Sequence, residues 1–391
     1  MSLSTLLQYY FQDKRISDIV SALNEKQFPL HLKGLVGSSA AFIICAVAEK
    51  KKGTHLIILP EKEDAAYLLN DLQALLSSAD SSKKDKKSEV VFFPSSFRKS
   101  FQADEPDTSN IQLRAEVLNA IRQQNKTLFI VTYAEAIAEK VISRQQLEKN
   151  SLELKCGEKI SISFLSDLLS EYGFCKNDFI VEPGQFAIRG GIVDIFSFAN
   201  KNPYRIEFSG DDVASIRTFN PINQLSLQEQ KIVSILPDIQ KKIHSDESSS
   251  SIIDYITDNA KSNSVVNLWI KDTPLVFENI RKGTENMNLV GYCEQNISAK
   301  NIFFSPEEIV QQCLNFPLIE FGQSTYFQRE VSATRSFHFY PQPSFNKNFE
   351  LLIKTLEQQA KEGYKNIILA DNQKQIERLH VIFESIWDED K

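Results

Sequence analysis

Between Phe179 and Gln224 the sequence FIVEPGQFAIRGGIVDIFSFANKNPYRIEFSGDDVASIRTFNPINQ alternates apolar and polar side chains with a period of two, the signature of half-buried strands. Ile192, Asp194 and Phe196 are expected on one face and Val193 and Ile195 on the other, while Tyr204, Ile206 and Phe208 oppose Arg205 and Glu207. Glu182-Pro183-Gly184, Asn200 to Pro203 and Ser209-Gly210-Asp211 are turn clusters that break the alternation. The stretch therefore predicts an antiparallel meander of about four strands.

The flanks follow a different rule. Apolar residues at helical spacing (Leu6, Leu7, Tyr10, Phe11, then Ile16, Ile19, Val20, Leu23) predict a helical preface over residues 1–28. After the apolar entry Pro29 to Leu32, a helix is expected over Ala40 to Lys50. Strand Thr54 to Leu59, helix Lys62 to Leu76, strand Glu89 to Phe93, helix Ile111 to Arg122, strand Thr127 to Val131 and a helix through Ile142 follow. Alternation of this kind implies a parallel sheet covered on both faces. It resumes from Ile252 to about Thr334, with Val265 to Ile270, Asn288 to Tyr292 and Leu318 to Phe321 as apolar runs.

A chain of 391 residues exceeds one ordinary core. The expected organisation is an α/β parallel-sheet domain in two halves, residues 1–150 and 238–340, interrupted by an inserted α+β domain, residues 151–237. In the insertion, Leu152 to Leu154 and Ile160 to Ile162 read as short strands and Ser163 to Tyr172 as a helix capped by Ser163. Residues 341–391 begin a further α/β domain after FYPQPS, with helix Asn348 to Lys361, strand Asn366 to Ala370 and helix Gln373 to Ile386. One α-β-α piece cannot bury both sides of a sheet, so this domain is expected to be truncated. Ser77 to Ser88, with its four lysines, and the serine-rich His244 to Ser251 read as exposed loops.

Strand, glycine-rich turn and helix around GLVGSSAA, residues 34–41, is the layout of a phosphate-binding loop. In GxxxxGK[ST] the lysine reaches the outer phosphates and the hydroxyl holds magnesium. With Gly34 as the first glycine, Ser39 takes the second glycine's place, Ala40 the lysine's and Ala41 the hydroxyl's. Both charge-handling groups are missing. Gly34, Gly37, Ser38, Ala40 and Ala41 therefore predict a degenerate loop that permits close helix–strand packing and binds no nucleotide.

Other chemistries lack their residues. The five histidines form no HExxH or other metal spacing, no GxSxG occurs, and no metal site is expected. Asp211-Asp212 and Glu307-Glu308 read as turn and helix-start charges. The five cysteines are scattered without a CxxC pair and read as buried free thiols. A net charge of −7 argues against a free-standing nucleic-acid binder and favours a protein partner. No apolar run approaches the roughly 20 residues of a membrane helix, and the N-terminus lacks a signal-peptide pattern, so a cytoplasmic location with no membrane partner is expected.

The segment VEPGQFAIRGGIVDIFSFANKNPYRIEFSGDDVASIRTFNPINQLS resembles the signature region of the bacterial transcription-repair coupling factors and, more distantly, that of the excinuclease B subunit. EPG-x-FA-x-RGG-x-VDIF, P-Y-RIEF-x-GD and SIR-x-F-x-P-x-x-Q recur with that family's spacing, and a weaker likeness runs from GLVGSSAA to FYPQPSF-NKNFELL. The resemblance implies a RecA- or helicase-like phosphate-loop domain, here degenerate. It also implies a large DNA translocase, driven by ATP and magnesium, that releases stalled RNA polymerase and recruits the excinuclease A subunit (UvrA). The motor and the polymerase- and DNA-binding regions are expected beyond this chain, which itself should need no cofactor. In that family the inserted domain is the docking surface for excinuclease A, and a C-terminal domain of the same chain covers it until the motor engages polymerase. The contacting arginines, those of RGG and YRIEF, fall on Arg189 and Arg205.

Taken alone, the residues allow either arginine an interface role, or Arg189 an ion pair within the sheet to Asp194 or Glu207. Gly190 and Gly191 read as backbone devices. Where many relatives carry two aromatics after the second arginine, this chain has Phe208-Ser209. The apolar anchor is then lost or taken over by Phe208, which periodicity turns toward the core. Excinuclease B also carries a long tyrosine-rich hairpin after the strand matching Glu89 to Phe93. Here PSSFRKSFQADEPDTSN is short and tyrosine-free, and Phe97 and Phe101 beside Arg98 and Lys99 read as a loop packed on its own domain. Neither ATP hydrolysis nor DNA melting is expected. The rival function is an ATP-dependent repair helicase subunit with an atypical phosphate loop.

Overall fold

The computed structural model describes residues 3–80, 88–99, 102–123, 126–198, 200, 202–236, 249–259, 266–290, 302–327, 333–346, 348–368, 370 and 372–389. The chain divides into two compact units, Met1–Phe339 and Tyr340–Lys391.

In the first unit the helical preface is two helices, α1 (Leu3–Gln12) and α2 (Lys14–Asn24). Asp13 breaks them by accepting the Arg15 backbone N–H at 2.9 Å, an N-cap that the apolar spacing alone did not reveal. Then come β1 (Leu30–Lys33), α3 (Ser39–Lys50), β2 (Thr54–Leu59), α4 (Lys62–Asp80), β3 (Ser88–Phe92), β4 (Phe97–Lys99), β5 (Gln102–Pro106), α5 (Thr108–Gln123) and β6 (Thr127–Tyr133). Every residue of β2 and of β6 is buried, as befits strands covered on both faces.

Three departures from expectation are local. Helix α4 runs to Asp80, so Ser77 to Asp80 are helical, and residues 81–87 of the expected loop lie outside the described residues. The helix expected through Ile142 stops early: α6 spans Ala134–Ala138, and Val141–Ile142 forms β7 before α7 (Arg144–Lys149). The connection after β3 is not a loop throughout, because β4 and β5 pair as a short antiparallel ladder; Phe101 lies outside the described residues.

Beyond the insertion, β16 (Ser249–Ser250) pairs with β7, which corrects the serine-rich loop at its end, and residues 244–248 lie outside the described residues. Helix α9 (Ile252–Asn259), β17 (Val266–Lys271), α10 (Thr273–Val290), α11 (Pro306–Cys313), β18 (Leu318–Phe321) and β19 (Ala333–Ser336) complete the unit. Asn288 to Val290 are helical, at the end of α10, while 291–292 of that apolar run lie outside the described residues. Ser305 starts α11 with a capping box, its hydroxyl on the Glu308 N–H and the Glu308 carboxylate on its own.

The seven strands order as β19-β1-β18-β17-β2-β6-β3, all neighbours parallel. Strands from before and after the insertion thus share one sheet, an α/β domain interrupted by an inserted one. Two buried polar clusters inside it are paired. His55 accepts the Trp269 indole N–H at Nδ1 (3.1 Å) and lies 2.9 Å from the Lys51 carbonyl through Nε2. Glu139 accepts the Ser96 backbone N–H and the Ser95 hydroxyl, both at 2.9 Å, and faces the buried Arg114.

The insertion begins with β8 (Leu152–Lys155) and α8 (Ile162–Glu171). Ile160 to Ile162 is not a strand; Ser161, rather than Ser163, caps α8 by accepting the Phe164 N–H at 3.2 Å. Strands β9 (Cys175–Lys176), β10 (Gln185–Arg189), β11 (Ile192–Phe196), β12 (Tyr204–Ser209), β13 (Asp212–Phe219) and β14 (Ser226–Gln230) form a sheet in the order β14-β13-β12-β11-β10-β9, and β15 (Ile232–Ile235) pairs with β8. The four expected meander strands are its centre. Leu165 and Leu169, one helical turn apart on α8, bury against Phe186, Val193, Ile195 and Ile206 on one sheet face, and truncating either leucine to alanine should cost about 2–5 kcal/mol.

The second unit contains α12 (Phe349–Lys361), capped by Asn348, whose side-chain Oδ1 accepts the Leu351 N–H at 3.0 Å, and α13 (Gln373–Glu389). Asn366 to Ile368, expected as a strand, pair with no strand among the described residues. Of the cysteines, Cys45 and Cys313 are buried as expected, Cys156 and Cys175 are exposed, and Cys293 lies outside the described residues. No described helix is long and apolar enough to cross a membrane.

Candidate functional site

The face of the meander opposite α8 carries the arginines. Register fixes this: Ala187 lies opposite Asp194, Asp194 opposite Arg205, and Arg205 opposite Arg217, so these side chains share one face. Asp194 is only 1% exposed, and an unpaired carboxylate there would be strongly disfavoured.

Two guanidinium groups satisfy it. Arg205 grips it bidentately, Nε to Oδ1 at 2.7 Å and Nη2 to Oδ2 at 2.8 Å, and Arg189 donates Nη2 to Oδ2. Of the two partners the sequence left open for Arg189, the fold selects Asp194. Glu207 goes elsewhere: it accepts the Ser215 hydroxyl at 2.7 Å and Arg217 Nη2 at 2.5 Å. The Ser215 hydroxyl, with Arg217 behind it, holds the Glu207 carboxyl below the usual range, and the Asp194 hydrogen bond raises the pKa of Arg205.

Both arginines also lie on aromatic rings. Arg205 sits 4.2 Å from the centroid of Phe219, which is buried with Ile180, Ala187 and Phe196 in a small cluster on this face. Arg189 sits 5.2 Å from the centroid of the exposed Phe179. Gln224 accepts from Arg205 Nη2 at 2.9 Å and ties down the turn that follows β13. The Arg205 side chain is 15% exposed and that of Arg189 37%, so the second has the larger free edge.

Phe208 lies apart from the arginines. A bulge between Glu207 and Phe208 keeps its ring packed, partly buried, against the core beneath the sheet. Gly191 lets the backbones approach, since a Cβ there would stand 3.1 Å from the Phe208 carbonyl oxygen. Phe179, which no periodic pattern marked, is an exposed aromatic that stands with Arg189, while the buried Phe219 lies under Arg205.

In the first unit the GLVGSSAA turn has a different chemistry. Gly34 adopts φ +82°, and a Cβ on it would lie 2.0 Å from the Phe337 carbonyl oxygen. Phe337 donates its N–H to Lys33 at 2.8 Å, extending the β1–β19 pairing past Gly34. Ser39 accepts the Val36 N–H at 2.8 Å, turning its hydroxyl back into the loop. Ala40 and Ala41, in the positions of the lysine and the hydroxyl residue, are buried in the first turn of α3. Among the described residues no group of three His, Cys, Asp or Glu side chains is arranged to hold a metal ion.

Residues 152–240 match the family model of the UvrB interaction domain. The chain is also similar to curated proteins called transcription-repair-coupling factor. That of Borreliella burgdorferi is 24% identical over 419 aligned positions, covering 98% of this chain and 36% of the relative. Those of Bacillus subtilis and Escherichia coli are 28% and 23% identical, covering 56% and 52% of this chain but 18% and 17% of the relatives. The chain thus spans about a third, or less, of the length of these relatives. The chain is thus similar to the bacterial transcription-repair-coupling factors, and its match to the UvrB interaction domain contains the sheet where Arg189 and Arg205 meet on Asp194.

Proposed function

We propose that this chain acts as the N-terminal, excinuclease-B-like module of a transcription-repair coupling factor, and that its inserted sheet docks the excinuclease A subunit. The observation that carries the reading is the Arg189–Asp194–Arg205 triad on the outward face of the domain matched to the UvrB interaction model. An arginine fixed by a buried carboxylate loses little freedom on meeting a partner, and arginine is enriched where interfaces concentrate binding energy.

Polymerase release and DNA translocation, with ATP and magnesium, would belong to parts of the relatives that this chain does not span. The phosphate-loop positions support a module without nucleotide chemistry: two buried alanines offer neither the charge that reaches outer phosphates nor a magnesium ligand. By analogy with the family, a C-terminal domain of the full-length protein would cover the docking face.

Pull-down of purified excinuclease A tests the docking. Wild type should retain it and Arg189→Ala and Arg205→Ala should lose it; retention by both variants at wild-type level overturns the assignment. Isothermal titration with ATP and magnesium tests the rest. Saturable micromolar binding would favour a repair helicase subunit instead.

A further inference from the structure

The contacts of the docking face form one connected series. Phe179 lies on Arg189, Arg189 and Arg205 share Asp194, and Arg205 holds Gln224. Gln224 belongs to the turn between β13 and β14, where Asn220 Oδ1 accepts the N–H groups of Ile222 at 2.8 Å and Asn223 at 3.3 Å, and the Gln224 side-chain amide donates to the Pro221 carbonyl at 2.8 Å. That turn is braced by these hydrogen bonds, yet it holds Ile222 at 93% exposure; at the other end Phe179 is 65% exposed. Exposed apolar side chains thus stand at both ends of a series whose centre is cationic.

The charge balance of the series is uneven. Asp194 supplies one negative charge against two guanidinium groups, while the neighbouring Arg217 and Glu207 cancel. A surplus positive charge is thus held on a chain whose net charge is −7. It is most accessible at Arg189, whose fork has donors beyond the one given to Asp194.

We infer that Phe179 and Ile222 are the apolar anchors of the docking face, and that the partner segment seated there presents a carboxylate to Arg189 between two apolar contacts. The inference rests on the docking reading above and supplies its missing apolar anchor: Phe208 is turned to the core, and Ser209 has no apolar group. A carboxylate completes a second charged pair on Arg189, and the flanking rings and methyls exclude water from it.

The test measures binding of purified excinuclease A to the 391-residue chain and to Phe179→Ala, Ile222→Ala and Arg189→Gln, with Phe164→Ala as a control. Phe164 is exposed on α8, which covers the opposite face. Phe179→Ala and Ile222→Ala should each weaken binding about tenfold or more with unchanged melting temperature, and Phe164→Ala should bind as wild type. Arg189→Gln should flatten the dependence of affinity on salt. If wild type binds but both anchor variants match it, the anchor assignment is overturned and docking stands. If wild type itself fails to bind, the docking reading falls, and this inference with it.

Discussion

Arg205 and Asp194 face each other across β12 and β11, joined by two hydrogen bonds of 2.7 and 2.8 Å, with the carboxylate almost wholly buried. Removing one partner of a buried ion pair ordinarily costs about 3–5 kcal/mol, because a charge is left stranded. Here Arg189 remains on Oδ2. Arg205→Ala should therefore cost less, about 1–3 kcal/mol in urea unfolding, and Arg189→Ala less again. The double variant strands Asp194 and should cost more than the two single changes together, by about 1 kcal/mol or more. Simple additivity would show that the arginines do not share the carboxylate in solution.

The approach of Gly34 to Phe337 gives a second expectation. A methyl group at Gly34 meets a backbone carbonyl oxygen that cannot swing away, in a conformation that side chains rarely adopt. Gly34→Ala should destabilise the first unit by at least about 2 kcal/mol. At Gly37 φ is also positive, +55°, but the space is open, so Gly37→Ala should cost only about 1 kcal/mol. Thermal melts of the two variants compare them directly; equal losses would mean that strain alone, without the carbonyl contact, explains Gly34.

The elements that sequence made legible are those whose burial imposes a period. The four central meander strands alternate because one face is buried under α8, and β2 and β6 are continuous apolar runs because both their faces are covered. Strand β14, SLQEQ, is exposed along nearly its whole length and β16 is two serines, so neither carries a burial pattern to read. The cap at Ser161 was missed by two residues, since Ser161 and Ser163 both precede apolar helix and only the chain direction decides between them. At the site, periodicity set Arg205 against Phe208 within β12 and Asp194 against Val193 and Ile195 within β11, while the shared face of Arg205 and Asp194 follows from the strand register. Arg189's choice of Asp194 over Glu207 depends on strand register and on Ser215 and Arg217 claiming Glu207, none of which is local in sequence. Phe179 carries no signal beyond being a large apolar residue before a turn.

His55 makes stability depend on pH. Burial lowers its pKa from 6.5 to about 4, and its two nitrogens are already committed to the Trp269 N–H and the Lys51 carbonyl, which fixes the neutral ring with its proton on Nε2. As pH falls below 6.5 the unfolded chain takes up a proton that the folded chain refuses until about 4. The stability present above pH 6.5 is thus lost across that window, at up to about 1.4 kcal/mol per pH unit. Glu320, raised by burial, acts in the opposite sense. Urea midpoints at pH 7 and pH 5 should fall less steeply in His55→Gln than in wild type, and identical slopes would remove His55 as the source.

Ala41 offers the sharpest contrast between resembling a phosphate loop and being one. Fully buried in the first turn of α3, it has no path to a ligand, and a larger polar residue must push into the core to fit. Ala41→Thr should cost about 1–3 kcal/mol through overpacking and a buried hydroxyl, although it restores the residue type that holds magnesium in a working loop. Ala40→Lys can extend its chain toward solvent from the edge of the same turn and should cost less. The combined variant should still show no heat of binding on titration with ATP and magnesium, because Ser39 stands where the second glycine would let a phosphate approach the backbone, and its hydroxyl is engaged by Val36. Recovery of micromolar nucleotide binding from these two substitutions would show instead that the loop is intact but for its side chains.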